Sequence, residues 1–121
     1  MKLNSKKPYS RVERVEKQIL EILNSILISN IDLTRLGFIT FTNIDLSPDF
    51  RTAKIFYSVL NPTLSKENIF IEINKKRKAF KKYLGPKIHL KLIPDLRFIY
   101  DDSHIYEDKI MSLINNKGKN G

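Results

Sequence analysis

Residues 65–86 read SKENIFIEINKKRKAFKKYLGP, and the fold turns on how this stretch is parsed. Ser65 is a good N-cap, because its hydroxyl can accept from a backbone amide of the first turn, and Glu67 suits the positive end of a helix. Ile69, Phe70, Ile73 and Phe80 then recur at helical spacing, with Arg77 between them, and the pattern runs to Leu84. Gly85-Pro86 stops it: glycine suits the residue after a helix, and proline cannot continue one. Too long for one average helix, the stretch reads as two helices in succession.

Upstream, residues 38–46 (FITFTNIDL) and 51–60 (RTAKIFYSVL) are rich in aromatic and β-branched residues. In the second, Ala53, Ile55, Tyr57 and Val59 alternate onto one face. Ser47-Pro48-Asp49 supplies turn chemistry between them, so the pair is expected to form an antiparallel hairpin. Before it lies an amphipathic helix. Ser10 and Glu13 have capping-box spacing, and Val12, Val15, Ile19, Ile22, Leu23 and Ile26 make one apolar stripe that fades near Ser29-Asn30. Downstream, residues 87–100 (KIHLKLIPDLRFIY) read as a third strand interrupted at Pro94, which favours an edge position or a bulge. Asp101, Asp102 and Ser103 look like the cap of a last helix carrying Ile105, Ile110, Met111, Leu113 and Ile114.

The element order is therefore α-β-β-α-α-β-α. It predicts an α+β domain of type II KH-like topology, with a three-stranded sheet and the helices packed on one face. Residues 1–9 read as a flexible basic arm, 10–115 as one domain, and 116–121 as a loose tail.

Charge points to the partner. The chain has 121 residues and a formal net charge of +9. Two segments hold the excess. Residues 1–17 carry six Lys/Arg against Glu13 and Glu16, and residues 73–94 carry eight with no acid at all. Such clustering is the electrostatic footprint of a polyanion binder. The candidate phosphate contacts are Arg11, Arg14 and Lys17 in the first helix, and Lys75, Lys76, Arg77, Lys78, Lys81, Lys82, Lys87 and Lys91 in the second segment. Counted at about 100° per residue along one continuous helix, Lys75, Lys78 and Lys82 share a side.

Other chemistry finds little support. There is no cysteine, so no disulfide, thiolate nucleophile or Cys-based metal site is expected. His89 and His104 are the only histidines, too few for a common metal site. Asp101, Asp102, Ser103 and His104 resemble a hydrolase set only as a list, since neighbours at one junction point in different directions. Gly37, Gly85, Gly118 and Gly121 make neither a phosphate loop nor the Gly-x-x-Gly clamp by which KH domains grip a single strand. Docking on folded RNA is thus favoured over single-strand clamping. Tyr57, Tyr83, Tyr100 and Phe98 are read as packing residues before base-stacking ones. The opening MKLNSKKPYS has no apolar run of the kind a secretory leader needs, and no segment approaches the roughly 18 apolar residues of a membrane span, so a cytoplasmic location is expected.

Four blocks carry a family resemblance. They are Arg11-x-x-Arg14-Val15; Asp32 leading into Arg35-Leu36-Gly37; Ser47-x-Asp49-Phe50-x-x-Ala53-Lys54-Ile55; and Leu84-Gly85 with Leu90-x-x-x-Pro94-x-Leu96-x-Phe98-x-x-Asp101-x-Ser103. In order and near spacing, over residues 11–103, they resemble ribosome-binding factor A. The resemblance implies a cofactor-free, non-enzymatic, monomeric protein that binds the free small ribosomal subunit and its rRNA. It further implies a role in late rRNA maturation, including 5′-end processing, in cold adaptation, and a functional link to a maturation GTPase. An RNA-acting enzyme, a generic basic RNA-binding module and an adaptor for an acidic protein are the rival readings.

Two departures bear on geometry. The connector Asp32-Leu33-Thr34-Arg35 has one residue more than the family's Asp-Pro-Arg and lacks its proline. The family also marks the break between its central helices with Ala-x-Gly, where this chain has Lys76, Arg77 and Lys78. Without glycine, either the break is softer or the two helices are nearly continuous.

Overall fold

The computed structural model describes residues 10–103 and 113–114. The basic arm, most of the expected last helix and the tail lie outside the described residues. In chain order the elements are α1 (Arg11–Ser29), a 3-10 turn (Thr34–Leu36), β1 (Phe38–Leu46), β2 (Thr52–Leu60), α2 (Lys66–Asn74), α3 (Arg77–Leu84), a second 3-10 turn (Gly85–Lys87) and β3 (Asp95–Tyr100). The sheet order is β1-β2-β3. The β1–β2 pair is antiparallel, and β3 runs parallel to β2 after the α2–α3 crossover. This is the expected α+β, type II KH-like layout.

Local chemistry sets the helix starts. The Ser10 hydroxyl accepts from the Glu13 amide at 3.2 Å, and the Glu13 carboxylate accepts from the Ser10 amide at 2.9 Å, which closes the capping box. Ser65 accepts from the Asn68 amide at 3.1 Å. The α1 stripe is buried at Val15, Ile19, Leu23 and Ile26, with Val12 and Ile22 partly covered. It packs on β1 and against α3, while α2 and α3 pack on β3. The inward residues of β2 are Ala53, Ile55 and Tyr57, all buried. At the centre the Phe41, Phe80 and Phe98 rings meet, with centroids 5.2–5.5 Å apart, in one stacked and two edge-to-face contacts. Each such pair contributes about 0.5–1.5 kcal/mol beyond its buried area.

Two asparagines tie helices to strand edges. The Asn24 side-chain amide, from α1, donates to the Phe41 carbonyl and accepts from its N–H, each at 3.0 Å. The Asn74 amide, at the end of α2, makes the same pair with Phe98, each at 3.0 Å. Phe41 lies on the outer edge of β1 and Phe98 on the outer edge of β3, so both edges are bonded at their middles by side chains.

The sequence reading needs two corrections. The third strand is shorter than 87–100. Residues 85–87 form a 3-10 turn, the following segment forms no strand and lines the α1 side at His89 and Leu90, and the strand starts at Asp95, after a buried Pro94. Its edge position matches the proline argument. Second, α3 stops where expected, but Gly85 remains right-handed at φ −46°, and a Cβ there would meet Ile93 at an ordinary 3.8 Å. The stop comes from Pro86, so glycine's left-handed freedom is not used. The two helices expected in succession are present, and α2 and α3 are separate despite the missing glycine. The break passes through Lys76 at φ −96°, ψ 1°, a conformation open to any residue. Of the expected cap residues, Asp101 has a carboxylate oxygen that accepts from the Ser103 amide, at 2.9 Å; its other oxygen accepts from the Thr42 hydroxyl. His104 lies outside the described residues.

Gly37 does need to be glycine. Its φ is +123°, and a Cβ would sit 2.8 Å from the Asn61 carbonyl oxygen.

Candidate nucleic-acid interface

The capping box fixes where α1 begins and so which side of it each cation takes. Arg11, Arg14 and Lys17 are exposed, off the apolar stripe. With Gln18, Glu21, His89 and Leu90 they line a groove of about 460 Å³. The segment after α3 forms its other wall, which brings the neighbourhood of Lys91, itself exposed, to the α1 cations.

One end of this groove rests on the hairpin turn. The Arg11 guanidinium lies 5.1 Å from the Phe50 ring centroid. Phe50 has φ 62°, unusual for an aromatic residue, and the turn around it is heavily bonded. Its amide donates to the Ser47 carbonyl at 2.9 Å, and the Ser47 hydroxyl accepts from the Arg51 and Thr52 amides. Asp49 accepts from the Ser47 hydroxyl and the Arg51 amide, bonds that hold its carboxyl below the usual value. The backbone is thus locked in the shape that presents Phe50 to Arg11.

The second cluster wraps the β3 edge. Arg77, Lys78 and Lys81 from α3, with Asp95, Leu96 and Arg97 from β3, line a groove of about 300 Å³. Lys81 Nζ donates to Asp95 Oδ1 at 2.7 Å. That bond, then the Lys81 charge, with smaller contributions from Arg77 and Arg97, holds the Asp95 carboxyl below its usual range.

Not every expected cation joins these grooves. Lys75 pairs with Glu72 at 3.1 Å, and Glu72 also binds Arg35 at 2.8 Å, so Lys75 belongs to a separate polar cluster. The Arg35 and Lys75 bonds hold the Glu72 carboxyl low. Lys78 and Lys82, four residues apart on α3, share a side of that helix, while Lys75 lies before the break and pairs with Glu72. Lys76 and Lys82 are exposed outside the groove linings. Lys87 Nζ reaches Asn30 Oδ1 at 3.3 Å, at the far end of α1, about 28 Å of helix from Arg11.

Arg97 is the residue that charge counting missed. It sits alone between apolar neighbours and outside the basic run. The available signal was alternation. Leu96 and Phe98 face the core, so Arg97 faces out, beside Lys54 in register on β2. Tyr57 and Phe98 are core residues, as the packing reading expects. Among the described residues there is no group of three or more His, Cys, Asp or Glu that could hold a metal ion, and no helix long and apolar enough to cross a membrane.

These features define a class: a type II KH-like domain without the glycine clamp, carrying cationic grooves on α1 and around the β3 edge. The family model for ribosome-binding factor A matches residues 11–114. The ribosome-binding factor A of Staphylococcus epidermidis is 34% identical over 110 residues, covering 91% of this chain and 95% of that protein. The crystal structure of ribosome-binding factor A from Thermus thermophilus superposes with a TM-score of 0.63 at 17% identity, covering 73% of this chain and 92% of that one. A Thermus thermophilus ribosome binding factor A model fitted into a cryo-EM map of a 30S complex gives a TM-score of 0.59 at 17% identity, covering 74% and 93%. The chain belongs to the ribosome-binding factor A family.

Proposed function

We propose that this protein is a non-enzymatic, cytoplasmic assembly factor that binds the free small ribosomal subunit through its rRNA. The observation that carries the reading is the family match over residues 11–114, which spans both cationic grooves. The Thermus relative fitted into a 30S complex supports the choice of particle. Arg11, Arg14 and Lys17 on one groove, and Arg77, Lys78, Lys81 and Arg97 on the other, supply phosphate contacts; Lys76, Lys82 and Lys91 add to the field around them. Held on a folded scaffold without a glycine clamp, these cations suit a folded RNA surface read by charge and shape. By docking as a monomer, the protein holds rRNA in an arrangement that late maturation, including 5′-end processing, can use. This demand is greatest in the cold, and a maturation GTPase promotes release.

The test is co-sedimentation with small subunits, large subunits and joined ribosomes at two salt concentrations. The expected result is binding confined to free small subunits that weakens steeply with salt, since each neutralised phosphate releases counterions. Reversing Lys78 and Lys82 to Glu is expected to weaken it at least about tenfold with an unchanged circular dichroism spectrum. Equal binding to all particles would reduce the protein to a generic basic RNA binder. Binding that ignores salt would remove the phosphate mechanism.

A further inference from the structure

The β3-edge groove contains one acid among its cations. Arg77, Lys78, Lys81 and Arg97 surround Asp95, whose side chain is 74% exposed yet bonded to Lys81 at 2.7 Å. The carboxylate therefore faces solvent while occupying the donor that a visiting anion would use. Its carboxyl is held below the usual range, chiefly by the Lys81 bond, so it stays ionised at neutral pH. The backbone adds a further donor. The Phe98 N–H points to the outer edge of β3, where Asn74 binds it. Leu96, two residues earlier, turns its N–H to the same edge, and Leu96 lines the groove. Cations plus an edge amide around one resident carboxylate make an anion subsite with its own competitor inside it.

We propose that this groove takes a backbone phosphate of the bound RNA and that Asp95 is an internal phosphate mimic, so docking exchanges the Asp95 carboxylate for the phosphate on Lys81. The inference rests on the RNA-binding reading above. Exchange differs from simple addition in its consequences. Lys81 gives up one charge-assisted bond as it gains another, so its net contribution to affinity is small. The released carboxylate stays beside the phosphate and repels it. Asp95 thus keeps the groove's affinity below what its cations alone would give, which suits a factor that has to leave its particle. It also keeps Lys81 oriented while the groove is empty.

The experiment measures affinity for small subunits by co-sedimentation titration at low salt. It compares the full-length wild type with Asp95→Asn, Lys81→Gln, the double variant, and Glu67→Gln, which removes one negative charge from α2 away from both grooves. Asp95→Asn is expected to bind about two- to fivefold more tightly than Glu67→Gln, the scale of an exposed ion pair. That gain is expected to shrink in the Lys81→Gln background to the part that comes from relieved repulsion alone. The idea is overturned if Asp95→Asn binds no more tightly than Glu67→Gln, or if its gain is undiminished without Lys81. A second measurement separates this inference from the reading beneath it: tripolyphosphate titration followed by amide NMR. Saturable shifts at Lys81, Leu96 and Arg97, tighter in Asp95→Asn, uphold the anion subsite even if no ribosomal particle is bound. Shifts spread over the surface, or unchanged by Asp95→Asn, sink it.

Discussion

Asn74→Ala is expected to be among the most damaging single changes outside the apolar core. Asn74 is only partly buried, and its side chain makes three hydrogen bonds at 3.0 Å: to the Phe70 carbonyl, to the Phe98 carbonyl and from the Phe98 amide. The Phe70 bond is local to the helix and adds little. The other two satisfy a backbone pair flanking a fully buried side chain, and Ala satisfies neither. At about 1 kcal/mol for each bond lost, plus partial desolvation of the orphaned groups, the loss is about 2–3 kcal/mol. In urea, with a slope of about 1–2 kcal/mol per molar for a domain of this size, the midpoint falls by about 1–3 M. Asn74→Asp sharpens the reasoning. It keeps an acceptor for the Phe98 amide but sets a carboxylate against the Phe98 carbonyl, so it is expected to be no better than Ala at neutral pH. Urea unfolding followed by far-UV circular dichroism measures both. A loss below about 0.5 kcal/mol for Asn74→Ala, or an Asp variant close to wild type, would refute the idea that the amide completes the strand edge.

Gly37→Ala is expected to cost about 2–4 kcal/mol, because alanine is strained at φ +123° and its Cβ meets the Asn61 carbonyl oxygen; the same urea titration reads it. Tyr57→Phe goes the other way. The Tyr57 hydroxyl is buried without a hydrogen-bond partner among the described residues, and burial pushes its pKa up to about 12, so removing it is expected to leave stability unchanged or raise it by about 1 kcal/mol. Asp95 and Glu72 lie below their ordinary values of 3.8 and 4.5 when folded, so the unfolded chain binds the extra protons. Their contribution is present above those ordinary values and lost as pH falls through the lower folded ones. The urea midpoint is expected to hold from pH 8 to about pH 5 and to fall below about pH 4, less steeply in Glu72→Gln.

What was legible in the sequence was what neighbours decide. Ser10 with Glu13 and Ser65 with Asn68 are contacts three residues apart, and they place two helix starts. The alternation of Ala53, Ile55 and Tyr57 needs only a pleat. Distant contacts decided the rest. The strand begins at Asp95 because its amide donates to the Arg51 carbonyl, 44 residues back. The α2–α3 break follows Asn74, which grips a strand 24 residues away. The cationic run was visible, but its division was not. Lys75 is drawn off by Glu72, which also binds Arg35 from 37 residues back, and Arg97 enters from a strand that carried no charge signal.

The asparagine pair also bears on how the protein behaves when crowded. A three-stranded sheet has two open borders, and an open border invites a strand from another molecule. Here the middle of each border is occupied by an amide from a helix, Asn24 at one side and Asn74 at the other. That guard lasts only while its helix stays docked. A transient opening of α2, the nine-residue helix that carries Asn74, bares the Phe98 backbone without unfolding the sheet. Aggregation is therefore expected to start from that partly opened state, and its rate to follow the docking of α2 more closely than the melting of the whole domain.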